Sequence, residues 1–456
     1  VARYNGSGNG VDKATGLAVD AVGNIYVTGF SRDSTNGFDY ATVKYNPQGK
    51  EEWIARYNGP ENDKDVASSL AMDTAGNIYV TGLSCDSGYN YNYATIKYNP
   101  QGEERWVARY SGLEQGTDSA IALVVGKSSS VYVTGRSWGA DSSYEYATIK
   151  YNFLGEEQWV VRYNGPWKGV DEPVAIAMDA AEYVYVTGGS KGPTSDADYL
   201  TIKYSQDGEE VWIARNSGGY IARGLAVDAV GNVHVTGSGH GAYETIKYNP
   251  QGEEQWVRHY NGPGNSWDEA YALVLDDAGN VYVTGSDVSL ITFDDFATVK
   301  YNPQGEEEWV ARYNGPDTNW DRATALALDD NGNVYVTGWS LSSNVNSNYC
   351  TIKYSQETGI AEPSEQISSY HFEVKQLTSA SMISYILPTD IRLSLKIYDV
   401  TGKLIRTLVT GSQEAGTHTA CWDARNDSNQ QVSVGLYFIR IATPGFSQTA
   451  KVVMLR

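Results

Sequence analysis

Cysteine, methionine and histidine are scarce in this chain, at three, four and five residues in 456. Cys85, Cys350 and Cys421 are an odd set without metal-ligand spacing, so free thiols are expected and no disulfide framework. Positive charge is short as well. Thirty-four Lys and Arg stand against 55 Asp and Glu, a net charge of −21. Affinity for phosphate backbones and anionic lipid comes from Lys and Arg, so nucleic acid is not an expected partner, nor is an anionic membrane. No apolar run reaches the ~18 residues a transmembrane helix needs, so no transmembrane segment is expected. Serine-hydrolase elbows, paired-histidine zinc helices and phosphate-cradling glycine loops are all missing.

What is plentiful is glycine (47), tyrosine (35) and tryptophan (12), and their placement is periodic. Thr-(Ile/Val)-Lys-Tyr occurs seven times: Thr42–Tyr45, Thr95–Tyr98, Thr148–Tyr151, Thr201–Tyr204, Thr245–Tyr248, Thr298–Tyr301 and Thr351–Tyr354. Each copy is preceded by Tyr-Val-Thr-Gly or a close variant, ending at Gly29, Gly82, Gly135, Gly188, Gly237, Gly285 and Gly338. These glycines recur 48 to 53 residues apart. Self-similarity at that period indicates a propeller or a solenoid.

Each repeat reads as four short strands. In the first they are Thr15–Asp20 (a), Asn24–Phe30 (b), Tyr40–Tyr45 (c) and Glu52–Tyr57 (d), rich in Val, Ile, Tyr, Thr and Trp. Asp-x-x-Gly-Asn joins a to b, and Asn-Pro-Gln-Gly joins c to d, with Gly and Asn supplying positive φ. Repeats 3 and 4 depart locally, with Gly126–Ser130 and Ala180–Tyr183 at the a–b turn, and the fifth has shortened loops. The seventh repeat stops after strand c, while residues 1–5 read as an orphan strand d matching the stretch that begins at Val310. Pairing the two closes a ring. The expected fold is therefore all-β: a seven-bladed β-propeller closed by the N-terminal strand. Because the chain opens inside a repeat, a processed or truncated end is expected, with an export signal removed ahead of it.

The unit Gly16–Gly29 (GLAVDAVGNIYVTG) resembles the seven-bladed β-propeller repeat of bacterial and archaeal surface and secreted proteins, and is distantly similar to NHL-type repeats. The resemblance covers roughly residues 1–354. Residues 355–369 turn to Ser, Glu, Pro and Gly and read as a linker. Residues 370–456 carry strand patterns at Met382–Leu387, Leu393–Asp399, Leu404–Thr410, Thr417–Trp422, Gly435–Ala442 and Ala450–Leu455, the pattern of a small β-sandwich. Leu395–Leu408 (LKIYDVTGKLIRTL) and Gly435–Arg440 (GLYFIR) resemble C-terminal sorting domains of the type IX secretion kind, and equally the Ig-like fold of flagellar hook-cap proteins. That resemblance implies a handle for export or surface attachment.

In a propeller the a–b and c–d turns lie at one end of the blades, and the d–a and b–c loops at the other. Here the first set is uniform and the second varies, as binding loops on a rigid scaffold do. Trp53, Trp106, Trp159, Trp212, Trp256 and Trp309 repeat in strand d and read as packing. Trp138, Trp167, Trp267, Trp320 and Trp339 fall in or beside the variable loops, joined by Tyr89, Tyr91, Tyr144, Tyr220 and Phe293. Such rings either stack on a ligand or fold back to cap the blade ends. Asp12, Asp65, Asp118, Asp171, Asp268 and Asp321 precede strand a; a ring of them could bind cations, but repetition favours one structural job per blade. An ion pair with Lys44 and its copies, or with Arg56, Arg109, Arg162, Arg215 and Arg312, is the expected form. Asp329–Asn333 looks like a calcium loop only superficially, lacking the ligand spacing and closing Glu. His234, His240, His259, His371 and His418 show no metal spacing; His259 stands at the Arg56 position and only His240 lies in a variable loop.

The expectation is a secreted or cell-surface protein, more a binding or structural module than an enzyme. Its aromatic loop face would take a glycan or surface protein, or self-associate. No cofactor is expected, a structural calcium being the one ion the acidic residues would admit. The alternative is a secreted polysaccharide hydrolase or lyase with acidic residues on the variable face as acid and base.

Overall fold

The computed structural model describes residues 2–355 and 371–454. Within these it leaves out 33–36, 114–115, 195–196, 265–266, 289–293, 316–318, 342–346, 377–380 and 414–415, and single residues at 7, 9, 62, 87, 89, 218 and 388. The expected linker, apart from Ser355, lies outside the described residues. The chain separates into two compact units, residues 1–356 and 357–456.

The first unit is entirely β. Its first sheet has strands Asp12–Val19 (a), Ile25–Arg32 (b), Phe38–Tyr45 (c) and Glu51–Tyr57 (d), antiparallel in that order. Five further four-stranded sheets repeat it over residues 65–110, 119–163, 171–216, 219–260 and 269–313. A seventh, over 321–354, has three strands. Strands a and b extend further toward the variable loops than residue preference alone indicates.

The repeated tags explain themselves in the b–c pairing. Register places Thr28 opposite Thr42, and the two hydroxyls hydrogen-bond at 2.9 Å inside the sheet. The same pair recurs in all seven sheets at 2.9–3.0 Å. A hydroxyl buried without a partner costs ~1–3 kcal/mol, so threonine must face threonine. In every sheet but the fifth, where His234 replaces the tyrosine, the tag lysine lies over the strand-b tyrosine of its own sheet, as Lys97 does over Tyr79 at 5.0 Å.

Cores form between successive sheets. Tyr26, Tyr40 and Ala55 of the first sheet cluster with Ala67, Ile78, Val80, Ala94 and Ile96 of the second. Tyr40 is fully buried and its hydroxyl donates to the carbonyl of Ala94, one sheet on. Tyr93 and Tyr243 do the same to Ala147 and Ala297. The strand-d tryptophans latch the opposite end: Trp53, Trp106, Trp159, Trp212 and Trp256 donate to carbonyls of the next sheet's c–d turn at 2.9–3.3 Å. Each indole also lies against that turn's glycine, Gly102, Gly155, Gly208, Gly252 or Gly305.

The expected closure by residues 1–5 is not displayed as strand pairing: residues 2–6 lie outside any strand. Tyr4 nonetheless accepts a hydrogen bond from Arg56 at 2.7 Å, as Tyr57 does from Arg109 and Tyr110 from Arg162. A cleft of about 320 Å³ is lined by Tyr349 of the seventh sheet together with Gly29, Ala41 and Tyr45 of the first.

The second unit is a sandwich. His371–Gln376, Ser381–Leu387 and Gly416–Trp422 form one sheet; Leu404–Gln413, Ile391–Asp399, Gly435–Ala442 and Ser447–Met454 form the other. His371–Gln376 adds a strand that the pattern did not reveal. Ile383, Tyr385, Leu395, Ile397, Ile439, Ile441 and Trp422 are buried between the sheets, and the Trp422 indole N–H donates to Arg425.

Candidate functional site: the d–a and b–c loop end

The repeated aspartates at this end are clasps for the d–a loop. Asp65, Asp118, Asp171 and Asp268 each accept the N–H of a glycine six residues earlier, at 2.6–2.7 Å, with one carboxylate oxygen. The other oxygen takes the N–H at the end of strand b, as in Asp118 with Trp138. Asp12 and Asp321 bind Gly6 and Gly315 alike. The expected ion pair with the repeated Lys or Arg does not form at Asp65, Asp118, Asp171 or Asp268. At Asp65, Asp118 and Asp171 a serine hydroxyl stands between the charges: Ser137 donates to Asp118 at 2.6 Å and accepts from Arg162 at 2.8 Å. Buried carboxylates are satisfied here by fixed neutral donors, which cost less desolvation than a fully buried charge pair.

The repeated arginines ion-pair elsewhere. Arg56, Arg162 and Arg215 bind Asp39, Glu145 and Asp198, and Arg312 binds Asp287. The same guanidinium reaches the strand-d tyrosine of the preceding sheet, as Arg215 does to Tyr163 at 3.0 Å. Lys44 and Lys300 pair with Glu52 and Glu308.

Asp287 replaces the bridging serine in the sixth sheet. Burial, with the adjacent Asp287 charge adding to it, pushes the Asp268 carboxyl up to about 6. Both groups are fully buried. The pair is therefore a poor acid and base for a substrate, which could not reach it.

The aromatics divide into two groups. Trp138 and Tyr144 pack edge to face at 5.0 Å, and Arg136 lies over Tyr144 at 4.7 Å. Trp339 is half-buried beneath Arg322, and Tyr91 is half-buried at the start of strand c. Trp167, Trp267 and Trp320 are 37%, 58% and 44% exposed, all at the d–a loops before strand a. Tyr89 and Phe293 lie outside the described residues, as does the side chain of Tyr220. Asp329 is no calcium loop: its carboxylate takes two backbone N–H groups, the Asn333 amide and the Tyr335 hydroxyl. The Asn333 bond, ahead of the others, holds it down to about 2.

One grouping escaped the spacing of the histidines. Glu244, His259 and His240 of the fifth sheet have ligand atoms within 4.8 Å of one another. The pairing register explains it: Glu244 lies opposite His259 across strands c and d, and the tight b–c turn brings His240 back over them. A signal was present in the repeats. The residue before Thr-(Ile/Val)-Lys-Tyr is Ala41, Ala94, Ala147, Leu200, Ala297 or Cys350, and only the fifth copy has Glu.

Compared with known families, residues 52–89 and 308–344 match the Beta-propeller repeat, and residues 371–444 match the FlgD Ig-like domain. The chain is 24% identical over 392 residues, 65% of its length, to an uncharacterized WD repeat-containing protein of Acanthamoeba polyphaga mimivirus, of which it spans 26%. PorZ, an essential bacterial surface component of the type-IX secretion system of Porphyromonas gingivalis, aligns over 96% of this chain and 59% of its own, at 14% identity and TM-score 0.43. An α-L-arabinofuranosidase from Fusarium graminearum aligns over 62% of this chain and 92% of its own, at 13% identity and TM-score 0.35. These structural likenesses carry no functional argument at such scores. The chain carries beta-propeller repeats followed by an FlgD Ig-like domain.

Proposed function

We propose that this chain is a non-catalytic surface or secreted protein whose seven blades present the d–a and b–c loop end to a polysaccharide. In this reading residues 1–5 complete the seventh blade, and the Ig-like unit serves export or attachment. The observation that carries the reading is the asymmetry of aromatic exposure. Strand-d tryptophans are consumed in latches between sheets, while Trp167, Trp267 and Trp320 keep a third or more of their surface in solvent at one end. Flat rings held on a rigid scaffold stack on sugar faces with little ordering cost. The bond between Tyr4 and Arg56 supports the closure, since it occupies the position that strand d fills in the other blades.

The hydrolase reading has one observation in its favour, the raised Asp268, and burial of that carboxyl weighs against it. Affinity electrophoresis of the full chain against a panel of soluble polysaccharides tests the proposal. At least one polysaccharide should retard the protein, and Trp267→Ala with Trp320→Ala should weaken it about tenfold, ~1.4 kcal/mol. Retardation unchanged in the double variant, or none across the panel, overturns it.

A further inference from the structure

We infer that the fifth sheet holds a divalent transition-metal ion between His240, Glu244 and His259. The inference is independent of the polysaccharide reading. His259 Nε2 lies 2.9 Å from Glu244 Oε2, and His240 Nδ1 lies 4.0 Å from the same oxygen. Tetrahedral Zn²⁺ bonded to N and O at ~2.0–2.1 Å separates its ligands by roughly 3.3 Å, inside that range. Two imidazoles and one carboxylate form a donor set that suits Zn²⁺ and its first-row neighbours, and not Ca²⁺ or Mg²⁺.

Three further features point the same way. Glu244 is 2% exposed, and its second oxygen, Oε1, is buried without a hydrogen-bond partner. A buried carboxylate needs a compensating positive charge or several donors. In the other four-stranded sheets an arginine occupies the His259 position, as Arg56 does opposite Ala41; here the arginine is gone and the carboxylate has arrived. A metal ion restores the missing charge. Gly239 leaves the room this needs, since a Cβ there would meet Glu244 Oε2 at 2.6 Å. His240 itself adopts φ of 53°, which turns the chain back over strand c. The two imidazoles are 68% and 49% exposed, so a bound ion keeps at least one coordination position open to water.

The repeats supply variants that should fold. Glu244→Ala and His259→Arg each restore the residue found at that position in sister blades. Calorimetric titration of the metal-free full chain with Zn²⁺ should give one site per chain, at least tenfold weaker in either variant and in His240→Ala. Co²⁺ should produce the visible absorption of a four- or five-coordinate ion in the parent protein only. Thermal unfolding without metal should show the variants folded. Absence of Zn²⁺ binding overturns the inference, and so does binding that survives all three substitutions unchanged.

Discussion

Asp268 and Asp287 stand where the first four blades and the seventh have an aspartate and a serine, Asp171 and Ser190 among them. A carboxylate in place of a hydroxyl removes a donor and adds a like charge. The folded state then holds a proton on Asp268 that the unfolded chain, with an ordinary carboxyl near 3.8, releases earlier. A raised folded-state value means stability falls as pH rises from about 4 to about 6. Burial supplies most of that slope, so Asp287→Ser should flatten it by up to about 1 kcal/mol relative to the parent, read by urea unfolding at pH 4 and pH 7. Equal slopes in the two proteins would refute the pairing. The single-residue departures of blades 5 and 6 were visible in the repeat alignment, but which groups faced them was not. Contact between Glu244 and His240 depends on a tight turn, and contact between Asp268 and Asp287 on a pairing across strands a and b.

At the scale of the element, the turn glycines do unequal work although each closes the same c–d turn. Gly155 has φ of 82° and lies against Trp106, so an added Cβ would meet the indole at 2.6 Å. Gly49, at φ of 77°, has nothing within 4 Å of that position. Gly49→Ala should therefore cost only the left-handed strain, about 1 kcal/mol. Gly155→Ala should cost more by at least about 1 kcal/mol, because it also dislodges the latch. Denaturation midpoints of the two variants give the comparison, and equal losses would show that the indole yields freely. Strand composition and turn chemistry made the four-strand unit legible, and the strands lie within two or three residues of those expected. The Thr–Thr pairs and the serine bridge between Asp and Arg were not legible, since an expected ion pair ignores the small neutral group that fits between the charges.

At the scale of the whole molecule, the second unit encloses its own core. Every residue of the cluster around Trp422 comes from residues 372–454. Residues 371–456 expressed alone should therefore fold, with the fluorescence of Trp422, the unit's one tryptophan, blue-shifted and moving red in a single cooperative transition. Red-shifted emission in native buffer would mean that the sandwich depends on the propeller unit.

Periodicity by itself determined the seven-fold repeat, the four-strand grammar and the change to a sandwich near residue 370, because tight turns and alternating strands are local and leave their marks in neighbouring residues. Only the tertiary structure decided which carboxylates meet which cations, which tryptophans stay in solvent, and that two histidines and a glutamate share one corner. Those outcomes depend on pairing register, on one tight turn and on the face each strand turns toward the next blade, none of which leaves a mark in the residues beside it.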